Sequence, residues 1–222
     1  GSQVFAEDVF ERAAVIMLEF AAHMEKAHGY QTRQLDLGGG YGVRYTAEDE
    51  AIDIPARLAE LAAYLKEETE RLGLPMPRFL MEPGRSIVAD AGMTLYTVGS
   101  VKRIPGYKQY AAVDGGMTDN PRYALYQSRY TVYHAHKSGS MERFDVVGRC
   151  CESGDIIQSG VELPGDTCRG DILAVCTTGA YNYSMASNYN RLPRPAVVML
   201  TPDRIYEAVR RETFADLTGL DL

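Results

Sequence analysis

Gln34-Leu35-Asp36-Leu37-Gly38-Gly39-Gly40-Tyr41-Gly42 is the stretch on which the fold turns. Residues 34–37 have strand character and run straight into a glycine cluster, so a short strand ends in a loop that exposes its backbone. Upstream, Val9, Phe10, Ala13, Ile16, Met17, Phe20 and Met24 recur at three- and four-residue spacing, which predicts an amphipathic helix over residues 6–28 stopped by Gly29. Downstream, a second helix is expected over residues 54–72. It has Pro55 in its first turn, Leu58, Leu61 and Leu65 on one face, and Gly73 past its end. A further apolar segment, residues 78–81, leads into Glu82-Pro83-Gly84-Arg85. Helix, strand, helix, strand is the order of parallel α/β architecture, in which ligands bind beyond the carboxyl ends of the strands. The loops at 38–42 and 82–85 are therefore the first candidates for a site.

From about residue 93 the texture changes. Stretches at 95–104, 129–133 and 172–176 are rich in strand formers and are separated by turn clusters instead of long helices. The expected organisation is an α/β domain over residues 1–91 followed by a β-rich domain, of sandwich or Greek-key barrel type, over residues 92–222. Thr213-Phe-Ala-Asp216 has the spacing of a capping box, so a short helix is expected near the end.

The composition fits a globular protein and narrows its partners. The 222 residues carry 23 Lys+Arg against 30 Asp+Glu, a net charge of −7, with 45% hydrophobic residues. Clustered basic charge, the basis of phosphate-backbone affinity, is absent, which argues against a dedicated nucleic-acid binder. No apolar run approaches the ~20 residues that cross a bilayer, and no basic-then-apolar leader opens the chain. The expectation is a soluble, cytoplasmic protein with no membrane partner. Cys150, Cys151, Cys168 and Cys176 form no C-x-x-C pair, so neither a disulfide framework nor a metal site is expected.

Each motif has a plain reading beside a functional one. The glycine loop fails the dinucleotide fingerprint, because Val43 stands where the third glycine belongs, and no G-K-[ST] follows. What it can do is present backbone N–H groups to a phosphate. Glu82-Pro83-Gly84-Arg85 is an ordinary turn by composition, raised in interest by its place at a strand end. Arg122 lies four residues before Tyr126 in Asp119-Asn-Pro-Arg-Tyr-Ala-Leu-Tyr126, and Cys150-Cys151-Glu152-Ser153-Gly154-Asp155 sets thiols beside carboxylates in a turn. The run from Gly179 to Asn190, which contains Tyr181, mixes polar and aromatic side chains in a way that suits a binding surface.

Taken together, in this order, these five segments resemble the diaminopimelate decarboxylases, a family of fold type III pyridoxal-phosphate enzymes. The likeness covers essentially the whole chain. It implies the later part of a TIM-like (β/α)8 barrel followed by the β-rich domain. The implied reaction is decarboxylation of meso-2,6-diaminopimelate to L-lysine and carbon dioxide, with pyridoxal 5'-phosphate as cofactor. By resemblance, Ser2, Gly39, Gly40, Pro83 and Gly84 surround the cofactor phosphate, Glu82 pairs with the ring nitrogen, and Arg85 and Tyr181 each touch both cofactor and substrate. Arg85 and Arg122, with Tyr126, bind the substrate's distal carboxylate. Glu152 takes the distal ammonium, and Cys151 donates the proton that follows loss of carbon dioxide. The Cys-Glu pair serves the partner subunit's site, which implies a homodimer with composite sites.

The family's Schiff-base lysine lies upstream of the glycine loop. None of Lys26, Lys66, Lys102, Lys108 or Lys137 stands in its context, and Gly1-Ser2-Gln3 matches the end of the family's His-x-His-Ile-Gly-Ser-Gln. The expectation is the carboxy-terminal portion of the enzyme, requiring the amino-terminal half of the barrel as partner and inactive alone. Two other readings stand beside it: a related arginine or carboxynorspermidine decarboxylase, and a non-catalytic partner chain.

Overall fold

The computed structural model describes residues 1–6 and 8–222. It divides into two units, Gly1–Ala89 and Asp90–Leu222.

The first unit contains helices α1 (Val9–His28) and α2 (Ile54–Arg71), strands β1 (Gln34–Asp36) and β2 (Arg78–Leu80), and the single turn α3 (Arg85–Val88). α1 buries Phe10, Ala14, Leu18 and Ala21. That row differs from the one the apolar spacing picks out: Ile16 and Phe20 are 67% and 64% exposed. The buried row holds the small residues Ala14 and Ala21, which let the helix backbone approach its neighbours, and periodicity counted on large side chains passes over them. α2 starts where Asp53 accepts the Ala56 N–H at 3.0 Å, with Pro55 in its first turn. It buries Leu61, Leu65 and Thr69, while Leu58 is left 40% exposed. These residues close a core with Leu35 and Tyr41, in which the Phe10 and Tyr41 rings stack at 4.1 Å.

β1 and β2 pair in parallel, Leu35 opposite Phe79. Pairing continues past the strand ends, with Leu37 N–H to the Leu80 carbonyl at 3.0 Å and Glu82 N–H to the Gly38 carbonyl at 2.6 Å. On the other side, Val4 N–H reaches the Gly40 carbonyl and Gly42 N–H returns to Val4, both at 3.0 Å. The glycine loop is thus held between the Glu82 turn and the amino-terminal segment.

The second unit is built on strands β3 (Met93–Ile104), β4 (Lys108–Val113), β5 (Val132–His134), β6 (Met141–Val147), β7 (Ile156–Pro164) and β8 (Ile172–Cys176), with the short helix α4 (Arg122–Tyr126) between β4 and β5. They form one sheet in the order β5-β8-β3-β4-β6-β7, antiparallel except for the β4–β6 pair. The two edge strands, β5 and β7, come into contact, and Tyr130 N–H bonds the Gln158 side chain at 2.9 Å. The sheet therefore curls into a nearly closed barrel, the second of the two β architectures expected. Alternate residues point inward, among them Tyr96, Val98, Ala111, Val113, Phe144, Val146, Leu173 and Val175. Phe144 is fully buried, and truncating such a side chain to alanine costs about 3–5 kcal/mol.

A hairpin of β9 (Val197–Leu200) and β10 (Ile205–Val209) follows, then α5 (Phe214–Thr218). Both halves of the capping box at α5 are made, Asp216 N–H to Thr213 Oγ1 at 3.3 Å and Thr213 N–H to Asp216 Oδ2 at 2.7 Å. Among the described residues no helix is long and apolar enough to cross a membrane.

Candidate functional site

In the first unit the two strand-end loops and the amino-terminal segment meet. A Cβ added to Gly39 would lie 2.2 Å from the Glu82 carbonyl oxygen, and one added to Gly40, at φ +111°, would lie 2.3 Å from the Gly1 carbonyl oxygen. Only glycine lets these backbones approach so closely. The N–H groups of Gly39 and Gly40 donate to no acceptor among the described residues, so they are available to an anion. Ser2 sits at the same place, its Oγ accepting from Arg85 at 3.1 Å. The Arg85 guanidinium, 7% exposed, also donates to the Tyr45 hydroxyl. Glu82, Pro83 and Gly84 are exposed, and the Glu82 carboxylate has no side-chain partner among the described residues. Seven predicted residues, Ser2, Gly39, Gly40, Glu82, Pro83, Gly84 and Arg85, are thus brought together here. Tyr45 is an addition that no sequence pattern marks.

In the second unit, Arg122 opens α4 and is 7% exposed. Its guanidinium carbon lies 5.3 Å from the Tyr126 ring centroid and 5.6 Å from that of Tyr181. It reaches Ser128 Oγ only at 3.4 Å, its Nε has no hydrogen-bond partner, and it pairs with no carboxylate among the described residues. A buried cation without a counter-ion is costly, so this arrangement suits an anionic ligand. Tyr181 holds φ at +63°, and Thr177, on the same loop, at +59°. Such conformations in bulky or β-branched residues cost of order 1–3 kcal/mol and concentrate at functional sites.

Cys151 and Glu152 lie on the turn after β6. Cys151 is exposed, whereas Cys150 is partly buried and its thiol is pushed up to about 11, by burial first and then by the Asp155 charge. Glu152 accepts from Gly154 N–H at 3.4 Å and from the Tyr189 hydroxyl at 3.2 Å, contacts that, in that order, hold its carboxyl below the usual range. Its hydrogen bonds run to these groups and to Ser153, not to Arg122 or Tyr126. Two buried carboxylates border the same region. Asp119 accepts from Tyr96 and from Gly116 N–H, and its pKa is raised by burial. Asp155 is 4% exposed. No group of three or more metal-ligating side chains converges among the described residues.

A curled β-barrel following an α/β unit, with an anion-ready glycine loop, defines a class. The chain belongs to the pyridoxal-dependent decarboxylases: the family model for their C-terminal sheet domain matches residues 14–179. Within that class its relatives are diaminopimelate decarboxylases. It is 45% identical to the enzyme of Bacillus subtilis over the whole chain, covering 51% of that protein. Among solved structures, diaminopimelate decarboxylase from M. jannaschii in complex with L-lysine superposes with a TM-score of 0.90 at 30% identity, covering all of this chain and 50% of that one. The Helicobacter pylori enzyme, also complexed with L-lysine, gives 0.85 at 32% identity, with 52% of that chain covered. The chain spans about half the length of the curated relatives it matches.

Proposed function

We propose that this chain is the carboxy-terminal half of a pyridoxal-phosphate-dependent decarboxylase that converts meso-2,6-diaminopimelate to L-lysine and carbon dioxide. The observation that carries this reading is Arg122, a buried cation at the start of α4 with no carboxylate beside it among the described residues, its guanidinium facing the Tyr126 and Tyr181 rings. The residues of the first unit fit the cofactor. The Gly39 and Gly40 N–H groups, without an acceptor among the described residues, suit a phosphate together with the Ser2 hydroxyl and the Pro83-Gly84 turn, and the Glu82 carboxylate, without a side-chain partner among them, suits a protonated ring nitrogen. When bound, pyridoxal phosphate supplies an electron sink for the pair left on the α-carbon as carbon dioxide departs.

The chain's own residues supply binding and proton control. Glu82 holds a proton on the ring nitrogen and so preserves the sink. Arg122 binds the distal carboxylate with charge-assisted hydrogen bonds, Tyr126 adding a hydroxyl, and Arg85 is a second cation for substrate in the first unit. Glu152, ionised well below neutral pH, takes the distal ammonium, and the Cys151 thiol delivers a proton to the α-carbon. Tyr181 lines both. The Schiff-base lysine comes from the amino-terminal half of a (β/α)8 barrel, to which residues 1–91 contribute the later strands. The exposed apolar row Ile16 and Phe20 on α1 supports packing of further barrel elements there. Cys151 and Glu152 serve the partner's site in a cytoplasmic homodimer.

The test is a substrate panel on the complete protein. Carbon dioxide release from meso-diaminopimelate, and not from ornithine, arginine or carboxynorspermidine, is expected. Release from arginine or carboxynorspermidine alone would replace the substrate, and release from none would leave the non-catalytic reading.

A further inference from the structure

Asp155 is not among the residues that the proposed chemistry uses, yet it is a buried carboxylate next to them that accepts from two separate backbone segments. Its Oδ1 accepts the Met117 N–H at 2.6 Å and its Oδ2 accepts the Cys150 N–H at 2.6 Å. Its own carbonyl accepts from Gly148 at 2.9 Å, and Arg149 N–H bonds the Gly115 carbonyl at 3.2 Å alongside. The two loops press on it from both sides. A Cβ at Gly116 would fall 2.4 Å from the carboxylate, and one at Gly148 only 2.3 Å from it.

One side chain thus joins two segments distant in sequence. The first, 114–122, ends in Arg122. The second, 148–155, carries Cys151 and Glu152. A charged acceptor gripping one N–H on each segment fixes their separation more firmly than a neutral bond would, because hydrogen bonds to charged groups are the strong ones.

We propose that Asp155 is a positioning residue, which sets the loop bearing Arg122 and the turn bearing Cys151 and Glu152 in a fixed mutual register. It touches neither substrate nor cofactor. The proposal rests on the roles given to Arg122 and Cys151 above, and its structural half is testable without them. Because an amide has one acceptor oxygen, Asp155→Asn keeps the shape of the side chain but can satisfy only one of the two N–H groups at a time, so the segments come loose from each other.

The experiment is hydrogen exchange and steady-state kinetics on the complete protein, wild type and D155N. The expected result is exchange at least roughly tenfold faster at the Met117 and Cys150 amides, with the barrel strands as protected as before. With it, kcat falls through displaced Cys151 and KM rises through displaced Arg122. Unchanged exchange in both segments overturns the brace. Loss of protection throughout β3, β6 and β8 overturns the positioning role in favour of a general structural one. Local loosening with unaltered kcat and KM upholds the brace and overturns the functional roles of the two loops. If D155N does not fold, the wild type decides. The Met117 and Cys150 amides lie outside every strand, and the proposal requires them to exchange as slowly as β3 amides; exchange at exposed-loop rates overturns it.

Discussion

Replacing Arg122 by methionine separates binding from stability, because the structure predicts opposite signs for the two. The guanidinium is buried between the Tyr126 and Tyr181 rings and has no carboxylate partner among the described residues. Losing two cation–π contacts costs about 0.5–2 kcal/mol each, the upper figure belonging to a desolvated cation. Against that, removing an uncompensated cation from a buried position relieves a desolvation penalty of several kcal/mol. The net expectation for R122M is stability unchanged or raised by about 1 kcal/mol, a Tm shift of roughly +3 °C. A charge-assisted contact to the substrate's distal carboxylate contributes about 1.5–3 kcal/mol, so kcat/KM for meso-diaminopimelate falls about 10- to 150-fold. That carboxylate is remote from the reacting carbon, so the same contact persists in the transition state, and the loss falls mainly on KM. Scanning calorimetry and initial rates on the complete protein check both signs. A fall in Tm of more than about 8 °C with KM unchanged would refute the reasoning, since Arg122 would then hold the fold and not the substrate.

Three further outcomes are expected. Gly39→Ala must push the Glu82 carbonyl about 1 Å aside, at about 1–3 kcal/mol, and weaken cofactor affinity in an absorbance titration. Gly99→Ala, whose nearest neighbour is 3.7 Å away, leaves both stability and affinity intact; equal effects of the two would show the close approach at Gly39 to be immaterial. Iodoacetamide at pH 8 alkylates exposed Cys151 before Cys150, whose thiol lies near 11, and peptide mapping that finds Cys150 modified first contradicts the assignment. The Glu212 carboxyl is lowered to about 2, chiefly by its hydrogen bond with Arg194. Its stabilisation is present above the ordinary glutamate pKa and is lost as pH falls from about 4.5 towards 2. Hydrogen exchange in the β9–β10 hairpin rises over that window in the wild type and not in Arg194→Gln; identical profiles would remove the pair as the cause.

The legible and illegible parts of this chain divide by range of interaction. The start of α2 with Pro55 in its first turn, the capping box at Thr213 and the glycine loop after β1 rest on local chemistry, and the chain shows each of them in its residues, whereas the Asp53 cap of α2 is seen only in the structure. The buried face of α1 does not announce itself, because Ala14 and Ala21 are chosen by what packs against them. The parallel β4–β6 pairing depends on contacts made more than thirty residues apart, as in Ala111 against Val146. The same holds at the candidate site. Arg122 and the Cys-Glu turn can be picked out as motifs, but the burial of Arg122 and its lack of a counter-ion belong to the tertiary structure. Asp155, a carboxylate in a turn, reads from composition as solvated, and only its two 2.6 Å acceptor contacts set it apart.

The central claim is that these residues form part of a catalyst that takes carbon dioxide from meso-diaminopimelate. Incubation of the complete protein, loaded with pyridoxal phosphate, with carboxyl-labelled meso-diaminopimelate tests it most directly. Labelled carbon dioxide and L-lysine are expected in equal amounts. Carbon dioxide without lysine, or neither product from the folded and loaded protein, would contradict it.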